Sequence, residues 1–115
     1  MPESQLDLKD KIGENWATYA KLMPEVIDVY DPLMEEVYKD GDVKAKYKRL
    51  MAVVGALVHG CRACVLYQTE EALNAGATVD EIMESCAVAV SLGGSMAGGE
   101  VTRVIGLLRE MGKID

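Results

Sequence analysis

The stretch "YKRLMAVVGALVHGCRACVLYQTEEALNAG", Tyr47 to Gly76, decides the fold. In its first half Tyr47, Leu50, Met51, Val54, Leu57 and Val58 recur at intervals of three and four, which is the pattern of one apolar helix face. This predicts a helix that ends near Gly60 and contributes that stripe to the core. A second helix is expected from about Arg62 to Asn74, stopped by Gly76. Two of the chain's three cysteines, Cys61 and Cys64, fall on the seam between these helices.

Downstream, "TVDE" from Thr78 has capping-box spacing, with Glu81 three residues after the cap. It opens a fifth helix carrying Ile82, Met83, Cys86, Ala89 and Val90, which meets the glycine-rich "GGSMAGG" at Gly93 to Gly99. A sixth helix then takes Val101, Val104, Ile105 and Leu108 toward the end. Upstream, a leading helix from about Leu6 to Leu22 puts Ile12, Trp16 and Tyr19 on one face, and a turn follows at Met23 and Pro24. The helix from Pro24 meets Pro32, which either kinks it or follows an Asp31 cap into a fresh helix. "KDGD" ends this segment at Gly41, and Asp42 is placed to cap the helix that follows. Strand signals are missing, so the expected fold is all-α, with about six helices in one domain over 1–115 and with 1–22 as its leading helix.

Bulk properties narrow the function. The 115 residues suit one compact domain. With no Phe, one Trp and seven Met, the core must be aliphatic and sulfur-rich. A net charge of −7 leaves no basic patch for nucleic acid or an anionic membrane surface, and neither is expected as a partner. Apolar runs are far shorter than the roughly 20 residues of a membrane span, and "MPESQLDLKDK" has no signal-peptide character, so a cytoplasmic location is expected.

Chemistry concentrates around "HGCRAC". Cys61 stands at a helix start, where free N–H groups and the helix dipole favour a thiolate, and Arg62 adds a positive charge. Cys64, one turn on, shares its face, so the pair can act as a reversible dithiol. Two other readings stand beside this one. Small thiols can simply fill a helix crossing, and zinc could bind, although only His59 and Cys86 offer further soft ligands and no second CxxC or HxxxH is present. No metal and no nicotinamide, flavin or haem cofactor is expected. His59, the only histidine, is a candidate proton donor or acceptor two residues from Cys61, or else a cap at its helix end. Tyr67 and Gln68 follow Cys64 by about one turn, within reach of a sulfur.

Taken together, "CRACVLYQTEEALNAGATVDEIMESCAVAVSLGG" resembles the carboxymuconolactone decarboxylase and alkyl hydroperoxidase D-like family. The likeness rests on Cys61 and Cys64, "ALNAGA" at Ala72 to Ala77, "DEIMES" at Asp80 to Ser85, and Gly93 with Gly94, and it extends upstream to about Met23. It implies an all-helical fold assembling as a homo-oligomer, a trimer or hexamer. In members with the cysteine pair it also implies reduction of a peroxide or a disulfide at the expense of a thiol reductant. Those members use a proton relay from a glutamate on the preceding helix and a histidine four residues after the second cysteine. Here the glutamate position, within "KRLM", is Arg49 and the histidine position is Gln68. Arginine is no base at neutral pH and glutamine cannot shuttle a proton as imidazole does. Arg49 and His59 are therefore candidates to tune and serve the thiols by another route.

The reading is a thiol oxidoreductase of peroxidase type built on Cys61 and Cys64. Helix-start electrostatics favour Cys61 as nucleophile, whereas the resemblance directs the relay to Cys64. The rivals are a cofactor-free decarboxylase of a lactone acid with His59 as proton donor, and a non-catalytic assembly protein that keeps the fold.

Overall fold

A computed structural model describes residues 3–115 as five helical segments: α1 (Gln5–Leu22), α2 (Pro24–Tyr38), α3 (Ala45–His59), α4 (Arg62–Asn74) and α5 (Val79–Glu110). No strand occurs among the described residues, and none of the helices is long and apolar enough to cross a membrane. Side-chain caps open α1 and α5, the second of them the capping box expected at Thr78. Ser4 accepts the Asp7 N–H at 3.1 Å. At α5, Thr78 accepts the Glu81 N–H at 3.1 Å while Glu81 accepts the Thr78 N–H at 2.9 Å, a complete capping box.

The core lies where α3 packs against both α4 and α5. Val53 and Leu57 of α3, Val65 and Ala72 of α4, and Ile82, Ala89 and Val104 of α5 are fully buried together. These aliphatic and small side chains let the helices approach closely. A Cβ built on Gly93 would stand 2.7 Å from the Ala97 Cβ across a bend in α5, so a glycine is needed there, and its backbone lies in contact with Val58 of α3.

Four expectations are corrected or narrowed here. The α3 core face is Leu50, Val53, Ala56 and Leu57, rotated from the predicted stripe, and Tyr47 and Met51 are 48% and 60% exposed. The α3 start is served not by Asp42 but by Asp40, whose carboxylate accepts the Ala45 N–H at 2.7 Å. Of the two readings of Pro32, the fresh helix after an Asp31 cap is overturned: α2 runs through the proline. Pro32 and Asp28, whose carbonyl loses its donor, are both exposed, so solvent can supply the missing hydrogen bond. Finally, the fifth and sixth helices form one segment broken at a single residue, Gly94, with φ 62° and ψ −143°, a backbone open only to glycine.

Neither α1 nor α2 contributes a fully buried residue. The Cα radius of gyration, 14.5 Å, exceeds the roughly 13 Å of a compact chain this long. What holds α1 is polar: the Glu110 carboxylate, at the end of α5, accepts from the Ser4 hydroxyl and from the N–H groups of Gln5 at 2.7 Å and Leu6 at 3.3 Å. Those bonds, the Ser4 hydroxyl first and the two backbone N–H groups after it, hold the Glu110 pKa below the ordinary carboxylate value despite some desolvation. A depressed folded pKa stabilises above the unfolded value and is lost as pH falls through the folded one. The Gln5 amide resonance is therefore expected to titrate with a midpoint below 4.5, and Glu110→Gln to abolish that titration. A midpoint at or above 4.5 would contradict the cap.

Candidate functional site

The turn joining α3 to α4 places the dithiol. Gly60 takes the left-handed conformation (φ 77°, ψ 27°), and both its N–H and that of Cys61 return to the Ala56 carbonyl, at 2.9 and 3.0 Å. The reversal leaves Cys61 as the N-cap of α4, in extended backbone, with its sulfur accepting the Cys64 N–H at 3.3 Å. The sulfurs of Cys61 and Cys64 are at bonding distance and the Cα atoms 5.2 Å apart, inside the usual range for a disulfide. Cys61 is half-buried and Cys64 exposed. A backbone N–H aimed at sulfur and the positive end of α4 both favour negative charge on Cys61. Arg62, beside it, turns to Glu3 at 3.9 Å.

The two relay positions meet each other. Arg49 Nη1 donates to Gln68 Oε1 at 3.0 Å, and Arg49 Nη2 lies 3.7 Å from a Glu71 carboxylate oxygen. Gln68 Nε2 donates in turn to the Tyr38 hydroxyl oxygen at 3.3 Å, while the Arg49 guanidinium covers the Tyr38 ring at 3.7 Å. Arg49 is thus committed to Gln68, Glu71 and Tyr38, all on neighbouring elements. Tyr67, half-exposed, lies 5.9 Å from the same guanidinium. Burial and the Glu71 charge push its phenol pKa up, against the pull of Arg49.

His59 is the last residue of α3, exposed, with no hydrogen bond or ion pair among the described residues. Cys86 is buried on α5, and burial pushes its thiol up to about 11. Native reduced protein is therefore expected to alkylate at Cys61 and Cys64 only, and Cys86 only after unfolding. Labelling followed by mass spectrometry checks this, and three labels under native conditions would contradict it.

Tyr38 and Glu71 complete the cluster, and sequence reasoning missed both. Glu71 carries a recoverable signal, being three residues after Gln68 on one helix face. Tyr38 carries none, because it reaches Arg49 only through the turn between α2 and α3.

Residues 24–104 match the carboxymuconolactone decarboxylase family. An uncharacterised protein from Cupriavidus necator is 31% identical over 91 residues, which are 76% of this chain and 80% of that protein. The fold matches the crystal structure of a carboxymuconolactone decarboxylase family protein from Legionella pneumophila with a TM-score of 0.89 at 24% identity, over 97% of this chain and all of that one. A family protein from Thermotoga maritima, for which a part in the antioxidative response has been suggested, is 32% identical with a TM-score of 0.67, over 71% of this chain and 84% of that one. With the family match spanning most of the chain and the helical architecture shared, the protein belongs to the carboxymuconolactone decarboxylase family.

Proposed function

We propose that the protein is a thiol oxidoreductase of peroxidase type in which Cys61 and Cys64 cycle between dithiol and disulfide. The observation that carries this is the pair itself: two sulfurs at bonding distance in the first turn of a helix, one capped by an N–H and the other exposed. The suggested antioxidative part of the Thermotoga maritima relative supports the same direction.

Exposure makes Cys64 the attacking thiolate. It bonds to one peroxide oxygen and breaks the O–O bond; the other oxygen leaves and is protonated to alcohol or water, and Cys64 becomes a sulfenic acid. The Cys61 thiolate then attacks the Cys64 sulfur, forming the disulfide, and the hydroxyl departs with a proton as water. Two thiols are oxidised and one peroxide is reduced. An external thiol reductant, protein or small molecule, restores the dithiol by exchange, which suits a reducing cytoplasm.

The exposed apolar side chains Val26, Val29, Tyr30 and Leu33 of α2 support a homo-oligomer in which a second copy covers that helix. The trimer or hexamer implied by the resemblance is read out by light scattering.

The test of the activity is stoichiometric. Reduced protein given one equivalent of hydrogen peroxide or cumene hydroperoxide should lose two of its three thiols, with the Cys61–Cys64 disulfide recovered by peptide mapping. Peroxide left unconsumed with all three thiols intact would remove the proposal.

A further inference from the structure

Resting on the peroxidase reading above, we propose that Tyr38 is the proton donor to the leaving oxygen in peroxide cleavage, held for this by Gln68 and Arg49 in place of a glutamate–histidine relay.

The argument starts from Arg49. A guanidinium has donors only, so the Gln68 side-chain atom facing it at 3.0 Å must be the carbonyl oxygen. That fixes the amide orientation and turns its NH2 toward the Tyr38 oxygen at 3.3 Å. The phenol oxygen is an acceptor in this bond, so its own proton points elsewhere and is free for another molecule. The rest of the residue is held as well. Its ring lies under the Arg49 guanidinium at 3.7 Å. On either side of it, the Val37 and Lys39 carbonyls accept from Lys48 Nζ at 2.9 and 2.7 Å. A side chain at the end of a helix with no fully buried residue is thus tied to α3 and α4 through ring, hydroxyl and flanking backbone.

Gln68 links this hydroxyl to the dithiol helix. Gln68 is four residues after Cys64 on α4, so the two stand one turn apart on one face, with Cβ atoms about 5–6 Å apart. Tyr38 accepts from Gln68, so a single side chain links its hydroxyl to the turn of α4 that carries Cys64. A peroxide attacked by Cys64 has its departing oxygen directed away from the sulfur. Hydroxide is a poor leaving group, being the conjugate base of a very weak acid, and phenols as a class are much stronger acids than water. Tyr38 gives its proton to the departing oxygen as the O–O bond breaks. The phenolate left behind accepts the Gln68 N–H and is faced by the Arg49 positive charge, and it recovers a proton from solvent, to which Tyr38 is partly open.

Leaving-group dependence separates this role from a structural one. An aromatic disulfide such as 5,5′-dithiobis(2-nitrobenzoate) releases a stabilised thiolate that needs no proton, whereas hydrogen peroxide does. General-acid contributions run to about 10²–10⁴-fold. Tyr38→Phe keeps the ring beneath Arg49 and should lower the single-turnover rate with hydrogen peroxide at least ~10-fold more than the rate with the aromatic disulfide. Tyr67→Phe, the neighbouring phenol, should lower the two rates in equal proportion. Equal losses for both oxidants in Tyr38→Phe, or a peroxide-selective loss in Tyr67→Phe instead, would overturn the assignment. If wild-type protein reacts with the aromatic disulfide but not with peroxide, the peroxidase reading fails, and Tyr38 with it. A wild type that consumes peroxide while Tyr38→Phe shows no selective loss sinks the Tyr38 role alone.

Discussion

Cys64→Ser should stop peroxide reduction outright, with steady-state turnover at least ~100-fold below wild type, because no other exposed thiol can form the S–O bond. Cys61→Ser should behave differently. Its Cys64 still reacts once with peroxide, but the sulfenic acid then has no resolving partner and accumulates, to be trapped by a dimedone adduct at Cys64. This asymmetry follows from the α3–α4 turn, which leaves Cys64 exposed and sets Cys61, half-buried, as the cap of α4. Adduct on Cys61 in Cys64→Ser, and none on Cys64 in Cys61→Ser, would reverse the order of attack. Full turnover in either variant would dispose of the two-cysteine cycle.

The second large effect is on stability. Leu57 is fully buried in the α3 face shared by α4 and α5, and Leu57→Ala should cost about 2–5 kcal/mol, as deletion of buried methyl groups does when the cavity does not collapse. Met51→Ala, one of the residues on the predicted stripe but 60% exposed, should change stability by no more than about 0.5 kcal/mol. Urea unfolding of both variants measures the difference. Equal costs would place Met51 in the core and the rotated face would be wrong.

The pair of substitutions also marks how far the sequence could be read. Helix existence was legible almost everywhere, because spacing, caps and glycine stops agree: Thr78 with Glu81, and Gly60, act locally. What local signals cannot supply is which apolar face turns inward when more than one is available. On α3 the predicted stripe already holds Leu50 and Leu57; packing against α4 and α5 adds Val53 and Ala56 to the buried face, leaves Val54 and Val58 partly buried at its edge, and puts Tyr47 and Met51 outside it. At Pro32 two readings stood open for a related reason: the Asp28 carbonyl that loses its donor can turn to solvent only at an exposed position, and nothing in the neighbouring sequence shows that α2 lacks a fully buried residue.

The site divides in the same way. Cys61, Cys64 and the helix-start geometry were legible because every contact involved lies within a few residues. The resemblance pointed to Arg49 and Gln68 as substituted relay positions, but not to their bond with each other, since they stand 19 residues apart on two helices. Tyr38 was invisible for that reason in stronger form. Its partners come from both α3 and α4, and only the packed chain brings them together.

The measurement that bears most directly on the account is a redox titration of the purified protein against dithiothreitol buffers, with thiols trapped and counted by mass spectrometry. The account predicts one reversible two-electron transition, with two labels per chain gained on reduction at Cys61 and Cys64 and Cys86 unchanged throughout the folded state. Cysteines that stay reduced, with both labels present across the whole oxidising range, or a transition that persists in Cys61→Ser, would contradict it.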